Sequence, residues 1–227
     1  MSSPDAEALS FAIDGEIHVS GLLQVPLEAR ACLVLAHGAG AGMNHPFMAT
    51  IAVDLAKRGI GTLRYQFPYM EHGGKRPDPP QRAHATVRAA VAASSRLVPN
   101  LPLFAGGKSF GGRMTSQAQA LVPLPAVRGL IFLGFPLHPA GNPSQTRGKH
   151  LFDIRVPMLF LQGTRDSLAE LAHVQSMCRA LGPQATLALL EGADHSFHVP
   201  ARSGRPETSI RNEMLNILTG WIDQMID

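Results

Sequence analysis

An α/β architecture, with one mostly parallel central sheet and helices on both faces, is the fold class that the sequence predicts. Three observations predict it. Continuous apolar runs recur along the chain, as expected of strands covered on both faces. Segments with apolar residues three or four apart alternate with these runs, as helices do between parallel strands. Turn-forming residues, chiefly Gly and Pro, separate the two kinds of segment. The 227 residues suffice for a single domain with its own core.

The elements follow in order. Leu9 to Ile13 and Ile17 to Val25 flank Asp14-Gly15, a hairpin signal, and read as an antiparallel pair at one sheet edge. Ala31 to Ala36 is the first continuous apolar strand. Phe47, Ile51 and Leu55 share a helix face, and Gly59 can end that helix. Ile60 to Phe67 is the next strand, and Gly73 to Pro80 is a loop. Ala83, Val87, Val91, Ser94 and Val98 line a long helix. Leu101 to Ala105 is a strand, followed directly by a glycine-rich turn and a helix containing Met114, Ala118 and Leu121. Val127 to Leu133 and Val156 to Leu161 are strands. Leu168, Leu171, Val174, Cys178 and Leu181 mark a helix, and Ala185 to Leu190 is the last strand. Ile210, Met214, Ile217, Leu218, Trp221, Ile222 and Met225 form the apolar stripe of a C-terminal helix. The segment Gly134 to Ile154 is too short and too polar to pack as a cap domain, so an open site is expected.

Composition excludes several classes. Apolar residues make up 45% and charged residues 16% of the chain, which favours a packed core over disorder. Twenty Lys and Arg against seventeen Asp and Glu leave a charge of +3, too small and too dispersed for a nucleic-acid partner. No run reaches the roughly 18 apolar residues of a membrane span. Met1 to Ser10 has neither a basic nor an apolar leader region, so no secretory signal is expected. Cys32 and Cys178 lack a CxxC partner and fit a reducing, cytoplasmic setting.

Gly107-Lys108-Ser109-Phe110-Gly111 matches G-x-S-x-G. An apolar strand precedes it and a helix-like run follows, the context in which this motif presents a serine nucleophile on a sharp turn. The motif's glycines leave room for close backbone approach, and the helix N-terminus favours developing negative charge. A glycine-rich turn that merely packs is the alternative.

A serine hydroxyl needs a base, and the base needs a group that fixes its tautomer. In chain order, Asp166 follows the strand ending at Leu161, and His195 follows the strand ending at Leu190. The order Ser, Asp, His is that of the α/β-hydrolase fold. Asp153 is a rival acid that lies before its strand. Asp194 neighbours His195 and reads as a loop ion-pair or capping residue. Asp166 could alternatively cap the helix starting near Leu168. His195 and His198 lack a third ligand at a recognisable spacing, so no metal is expected, and no cofactor.

An oxyanion calls for two donors. The Phe110 N–H is one. Ala39, in the loop His37-Gly38-Ala39-Gly40, is the first choice for the other, and Gly40 is the second. His37, Gly38, Gly40 and Lys108 are expected around the substrate. Tyr65, Phe67 and Tyr69 are expected to line the acyl pocket. Lys75, Arg76 and Arg82 could receive an anionic substrate, or form a solvated basic loop.

Together these residues resemble a known family. His37 to Gly40, Arg64-Tyr-Gln-Phe-Pro-Tyr69, Gly106 to Arg113, Gly134-Phe-Pro-Leu-His-Pro139, Gln162-Gly-x-x-Asp166 and Gly192-Ala-Asp-His-Ser-Phe197 resemble the small α/β-hydrolases related to dienelactone hydrolase. The likeness is strongest to the bacterial members grouped with testis-expressed protein thirty and with a subunit of the NSL acetyltransferase complex. It implies an α/β-hydrolase fold without a cap domain and a Ser109–His195–Asp166 triad acting on a small acyl substrate. Dienelactone hydrolase itself has cysteine where this chain has Ser109. A silent binding module of the same fold is the competing expectation.

Overall fold

The computed structural model describes residues 4–226. Eight strands form one sheet: β1 (Glu7–Ala12), β2 (His18–Gln24), β3 (Ala31–Ala36), β4 (Ile60–Tyr65), β5 (Leu103–Lys108), β6 (Val127–Leu133), β7 (Met158–Gly163) and β8 (Ala185–Leu190). Their order is β1-β2-β4-β3-β5-β6-β7-β8. β1 and β2 pair antiparallel at one edge, β2 pairs antiparallel with β4, and β3 to β8 are parallel.

Among the described residues, six α-helices accompany the sheet: α1 (Pro46–Ala56), α2 (Pro68–Glu71), α3 (Pro80–Leu97), α4 (Phe110–Leu121), α5 (Leu171–Leu181) and α6 (Glu207–Ile226). Alternate residues of each buried strand feed two separate cores. Val34, Ala36, Phe132 and Phe160 pack with α3, α4 and α5 on one face. Leu33, Leu35, Ile131 and Leu159 pack with α1 and α6 on the other. Strand pleating produces this division, because successive side chains point to opposite faces.

The chain changes direction across the sheet at β3. The connection leaving β3 enters α1 on one face, and the connection leaving β5 enters α4 on the other. The two loops diverge and leave a crevice at the strands' C-terminal ends, where open α/β sheets hold ligands.

Several boundaries differ from expectation. β5 and β7 begin two residues late, after Pro102 and Pro157, because proline offers no N–H to a ladder. They also end later, at Lys108 and Gly163, since the glycines and Gln162 continue the pairing. β4 stops at Tyr65, two residues short of the expected strand end at Phe67, and Pro68 opens α2. Residues 146–153 wind into a 3₁₀ segment that packs on α4 and α5. Leu137 and Leu151 join the adjacent core. This insert is therefore part of the body of the protein, not a lid.

Candidate active site

β5 runs to Lys108 and α4 begins at Phe110, so Ser109 alone makes the turn between them. Its φ of 50° and ψ of −113° lie where a non-glycine residue is strained. The glycines flanking it make that turn possible. A Cβ on Gly107 would stand 2.3 Å from the Ala36 carbonyl oxygen, and one on Gly111 would stand 2.6 Å from it. Only a hydrogen at these positions lets the turn seat against the end of β3.

The loops after β7 and β8 deliver the other two groups. Ser109 Oγ lies 2.8 Å from His195 Nε2, and His195 Nδ1 lies 2.7 Å from Asp166 Oδ2. The Asp166 side chain is fully buried, whereas the His195 ring is 20% exposed. Asp166 accepts further hydrogen bonds, from Gln162 Nε2 at 2.5 Å and from the Leu168 N–H at 2.8 Å. An acceptor-only carboxylate at Nδ1 fixes the proton there and leaves Nε2 free to accept from Ser109.

The rival acids lie elsewhere. Asp194 Oδ1 accepts the N–H groups of Ser196 and His198, closing the loop on itself. Asp153 is exposed at the end of the 3₁₀ segment. Asp166 does not cap α5, whose N-cap is Glu170.

A cleft of about 490 Å³ opens over Ser109 and His195. Gly38, Ala39 and Lys108 border it. Its apolar walls come from Phe47, Met48 and Leu168. The sequence pattern had assigned Phe47 and Leu168 to helix core faces. Phe47 stands at the start of α1, and Leu168 precedes α5, so each faces the crevice. His45 and His198 add polar rim. His198 Nε2 is also 3.8 Å from a Glu207 carboxylate oxygen. Among the described residues, no three His, Cys, Asp or Glu side chains are grouped to hold a metal ion.

The aromatic segment after β4 corrects an expectation. Tyr65 and Phe67 are fully buried and do not line the cleft, and neither does Tyr69. The segment holds the loop after β3. Tyr69 Oη accepts the Gly40 N–H at 2.9 Å. Gln66 Oε1 accepts the Met43 N–H at 2.8 Å, and Arg64 donates to the Met43 carbonyl at 3.1 Å. His37, also expected at the substrate, is buried in this scaffold. Its Nε2 accepts the Phe67 N–H at 3.1 Å, so Nδ1 carries the proton and donates to the Gly38 carbonyl at 2.8 Å. Burial lowers the His37 pKa to about 4, so the ring is neutral at pH 7.

Gly40 therefore has its N–H engaged and lies off the cleft, contrary to its expected role there. Among the described residues, no protein acceptor takes the N–H of Ala39 or of Phe110. Arg82 pairs with Asp78 at 3.8 Å, and Arg76 borders a separate hollow beside Pro77 to Pro80. Neither they nor Lys75 line the cleft.

Lys108 reaches from the elbow to the histidine loop. Its Nζ donates to the His195 carbonyl and sits 5.2 Å from the centroid of the Phe197 ring. Burial lowers its pKa to about 8, partly opposed by the Asp166 and Asp194 charges.

A family model described as an alpha/beta hydrolase domain matches residues 29–223. The chain belongs to the alpha/beta hydrolase family. Solved structures agree in fold. Dienelactone hydrolase from Anabaena variabilis is 18% identical, with 99% of this chain and 100% of that one covered and a TM-score of 0.77. A lidless serine hydrolase from Xanthomonas campestris is 20% identical, with 96% and 95% covered and a TM-score of 0.72. The esterase domain of a Rhodothermus marinus protein is 16% identical, with 98% and 100% covered and a TM-score of 0.74. At such identities the likeness is one of fold. Among the described residues this alpha/beta hydrolase has no cap domain, and no helix is long and apolar enough to cross a membrane.

Proposed function

We propose that this alpha/beta hydrolase is a serine hydrolase that cleaves small ester or thioester substrates through an acyl-enzyme. The continuous chain of contacts from Asp166 through His195 to Ser109, at 2.7 and 2.8 Å, carries this reading.

Ser109 Oγ attacks the acyl carbon and its proton passes to His195 Nε2. Asp166, already hydrogen-bonded to Nδ1, stabilises the resulting imidazolium. The carbonyl oxygen becomes an oxyanion facing the N–H groups of Ala39 and Phe110. The second of these opens α4, whose dipole adds to the stabilisation. As the tetrahedral intermediate collapses, the bond to the leaving oxygen or sulfur breaks and His195 returns the proton to that atom. Water then attacks the acyl-enzyme, again with His195 as base, and releases the acid and free Ser109.

Hydrolase and esterase structures of the same fold support the reaction class. The motif set favours the group that includes testis-expressed protein thirty, and the buried free thiols of Cys32 and Cys178 favour a reducing, cytoplasmic setting.

The test is labelling with a fluorophosphonate probe, with peptide mapping, alongside hydrolysis of p-nitrophenyl acetate. Stoichiometric labelling at Ser109, and loss of both label and turnover in Ser109→Ala, is the expected result. A folded wild-type protein that neither labels nor turns over is a binding module, and the proposal fails.

A further inference from the structure

Lys108 joins the two loops that carry Ser109 and His195. It is the last residue of β5, and the sheet holds its backbone in register with Leu133 of β6. Ser109 follows directly. From this fixed root the side chain crosses to the loop after β8, where Nζ donates to the His195 carbonyl. Gly134 lies beneath the crossing. A Cβ there would stand 3.0 Å from Lys108 Nζ and 3.4 Å from the His195 carbonyl oxygen. Nearer its root the side chain packs on Gly38, where a Cβ would stand 3.5 Å from Lys108 Cγ.

The loop that receives Lys108 depends on outside support. Phe197, two residues beyond His195, has a φ of 66°, a strained value for a phenylalanine. Its ring stacks on Phe47 of α1, with centroids 6.0 Å apart and 12° between planes. Lys108 Nζ sits 5.2 Å from the Phe197 centroid, within cation–π range. Among the described residues, Lys108 is the one donor to the His195 carbonyl, and it forms no ion pair with a carboxylate. Its charge is therefore directed at the peptide of the histidine and at the ring that follows. Charge-assisted hydrogen bonds are stronger than neutral ones. Asp166 holds the His195 ring at Nδ1, and Lys108 holds the main chain that carries the ring.

We infer, resting on the triad reading above, that Lys108 is a positioning residue whose ammonium clamps the His195 main chain and keeps Nε2 aligned with Ser109 and the leaving group. Lys108 itself exchanges no proton in the reaction. A misplaced histidine transfers protons poorly, and the loss is greatest where the leaving group needs one. p-Nitrophenolate departs unaided, whereas the alkoxide of an ethyl ester does not. The clamp also depends on charge. Burial lowers the Lys108 pKa to about 8, and Asp166 and Asp194, in the loops after β7 and β8, oppose that shift. The loops after β3 and β6 meet Lys108 with Gly38 and Gly134, which do not titrate. His45, His195 and His198 share the cleft with it. The ammonium is charged at pH 7 and loses its charge as pH rises through about 8.

The test compares wild type with Lys108→Met, which keeps the apolar stem and removes the charge. p-Nitrophenyl acetate and ethyl acetate are assayed in parallel, and rates are expressed per site labelled to completion by a fluorophosphonate. For p-nitrophenyl acetate, kcat should fall roughly tenfold to a hundredfold, the size of one charge-assisted hydrogen bond, with KM within about threefold. For ethyl acetate, kcat/KM should fall about threefold to tenfold further, a difference that a smaller folded fraction cannot produce. If Lys108→Met fails to fold, wild type still decides. The alkaline decline of kcat should share its midpoint with the titration of Lys108 Cε followed by carbon NMR. Equal losses on both esters, an effect confined to KM, an unchanged kcat, or a wild-type kcat that holds while Lys108 discharges overturns the proposal. A wild type that neither labels nor turns over overturns the triad reading itself, and this proposal with it.

Discussion

Tyr69 Oη accepts the Gly40 N–H, although Tyr69 belongs to α2 and Gly40 to the loop after β3. The bond fixes the residue after Ala39, and so the direction of the Ala39 N–H. An oxyanion donor contributes most when its orientation is set before reaction.

Tyr69→Phe should therefore lower kcat for p-nitrophenyl acetate about three- to tenfold with little change in KM. One hydrogen bond has roughly that worth. The ring still packs on Phe110, so the melting temperature should fall by only a few degrees. Steady-state kinetics and calorimetry check both. A tyrosine lining the acyl pocket would instead change KM.

Asp166→Asn should reduce kcat by several orders of magnitude, because an amide at Nδ1 no longer dictates the histidine tautomer. Asp194→Asn should cost far less, its contacts being two N–H groups of its own loop. Asp153→Asn should be nearly silent. Parallel kinetics on the three variants, with circular dichroism as a folding control, rank them. A different order reassigns the acid.

Acid should weaken the fold through His37. Its native pKa of about 4 lies below the ordinary 6.5. Between those values the unfolded chain takes up a proton that the native ring refuses. Stability is thus full above pH 6.5, is lost as pH falls toward 4, and then levels for this group, a contribution on the order of 3 kcal/mol. His150, also lowered to about 4, acts in the same direction. Urea unfolding across pH 4 to 7 measures the slope. His37→Asn should be less stable at pH 7 yet lose less on acidification.

Chain-length preference follows from the cleft. Phe47, Met48 and Leu168 supply its apolar wall, and the insert after β6 packs on α4 and α5 and does not line it. A buried methylene contributes about 0.8 kcal/mol only while it leaves water. For p-nitrophenyl esters below their micelle concentrations, kcat/KM should peak at roughly two to six acyl carbons. A steady rise through twelve carbons would mean a tunnel.

The sequence made some features plain and left others hidden, for physical reasons. β3, β6 and β8 were legible to the residue because each is a short, mostly apolar segment set between stretches that read as loop or helix. The elbow was legible because a one-residue turn tolerates only glycine at Gly107 and Gly111. Tyr65, Phe67 and Tyr69, expected in the acyl pocket, instead belong with Arg64 and Gln66 to the scaffold behind the loop after β3. Aromatic residues at a strand's C-terminal end suit either place, and only the path of α2 decides which. Gln162 was visible only as part of a motif. Its role, bridging the Phe135 N–H and Asp166 between two loops, depends on contacts far apart in sequence.

The insert after β6 lies against α4 and α5 and leaves the Ser109 cleft uncovered. For the proposed acyl-enzyme this sets the fate of the acyl group. A covered site can hold bulk solvent back while a second alcohol or amine arrives, and so can move an acyl group from one carrier to another. Here water at its full concentration reaches the intermediate from the moment it forms. Competing acceptors, present at millimolar levels at best, have no shelter in which to win. For the proposed acyl-enzyme, such access favours release of the free acid over transfer to a second acceptor.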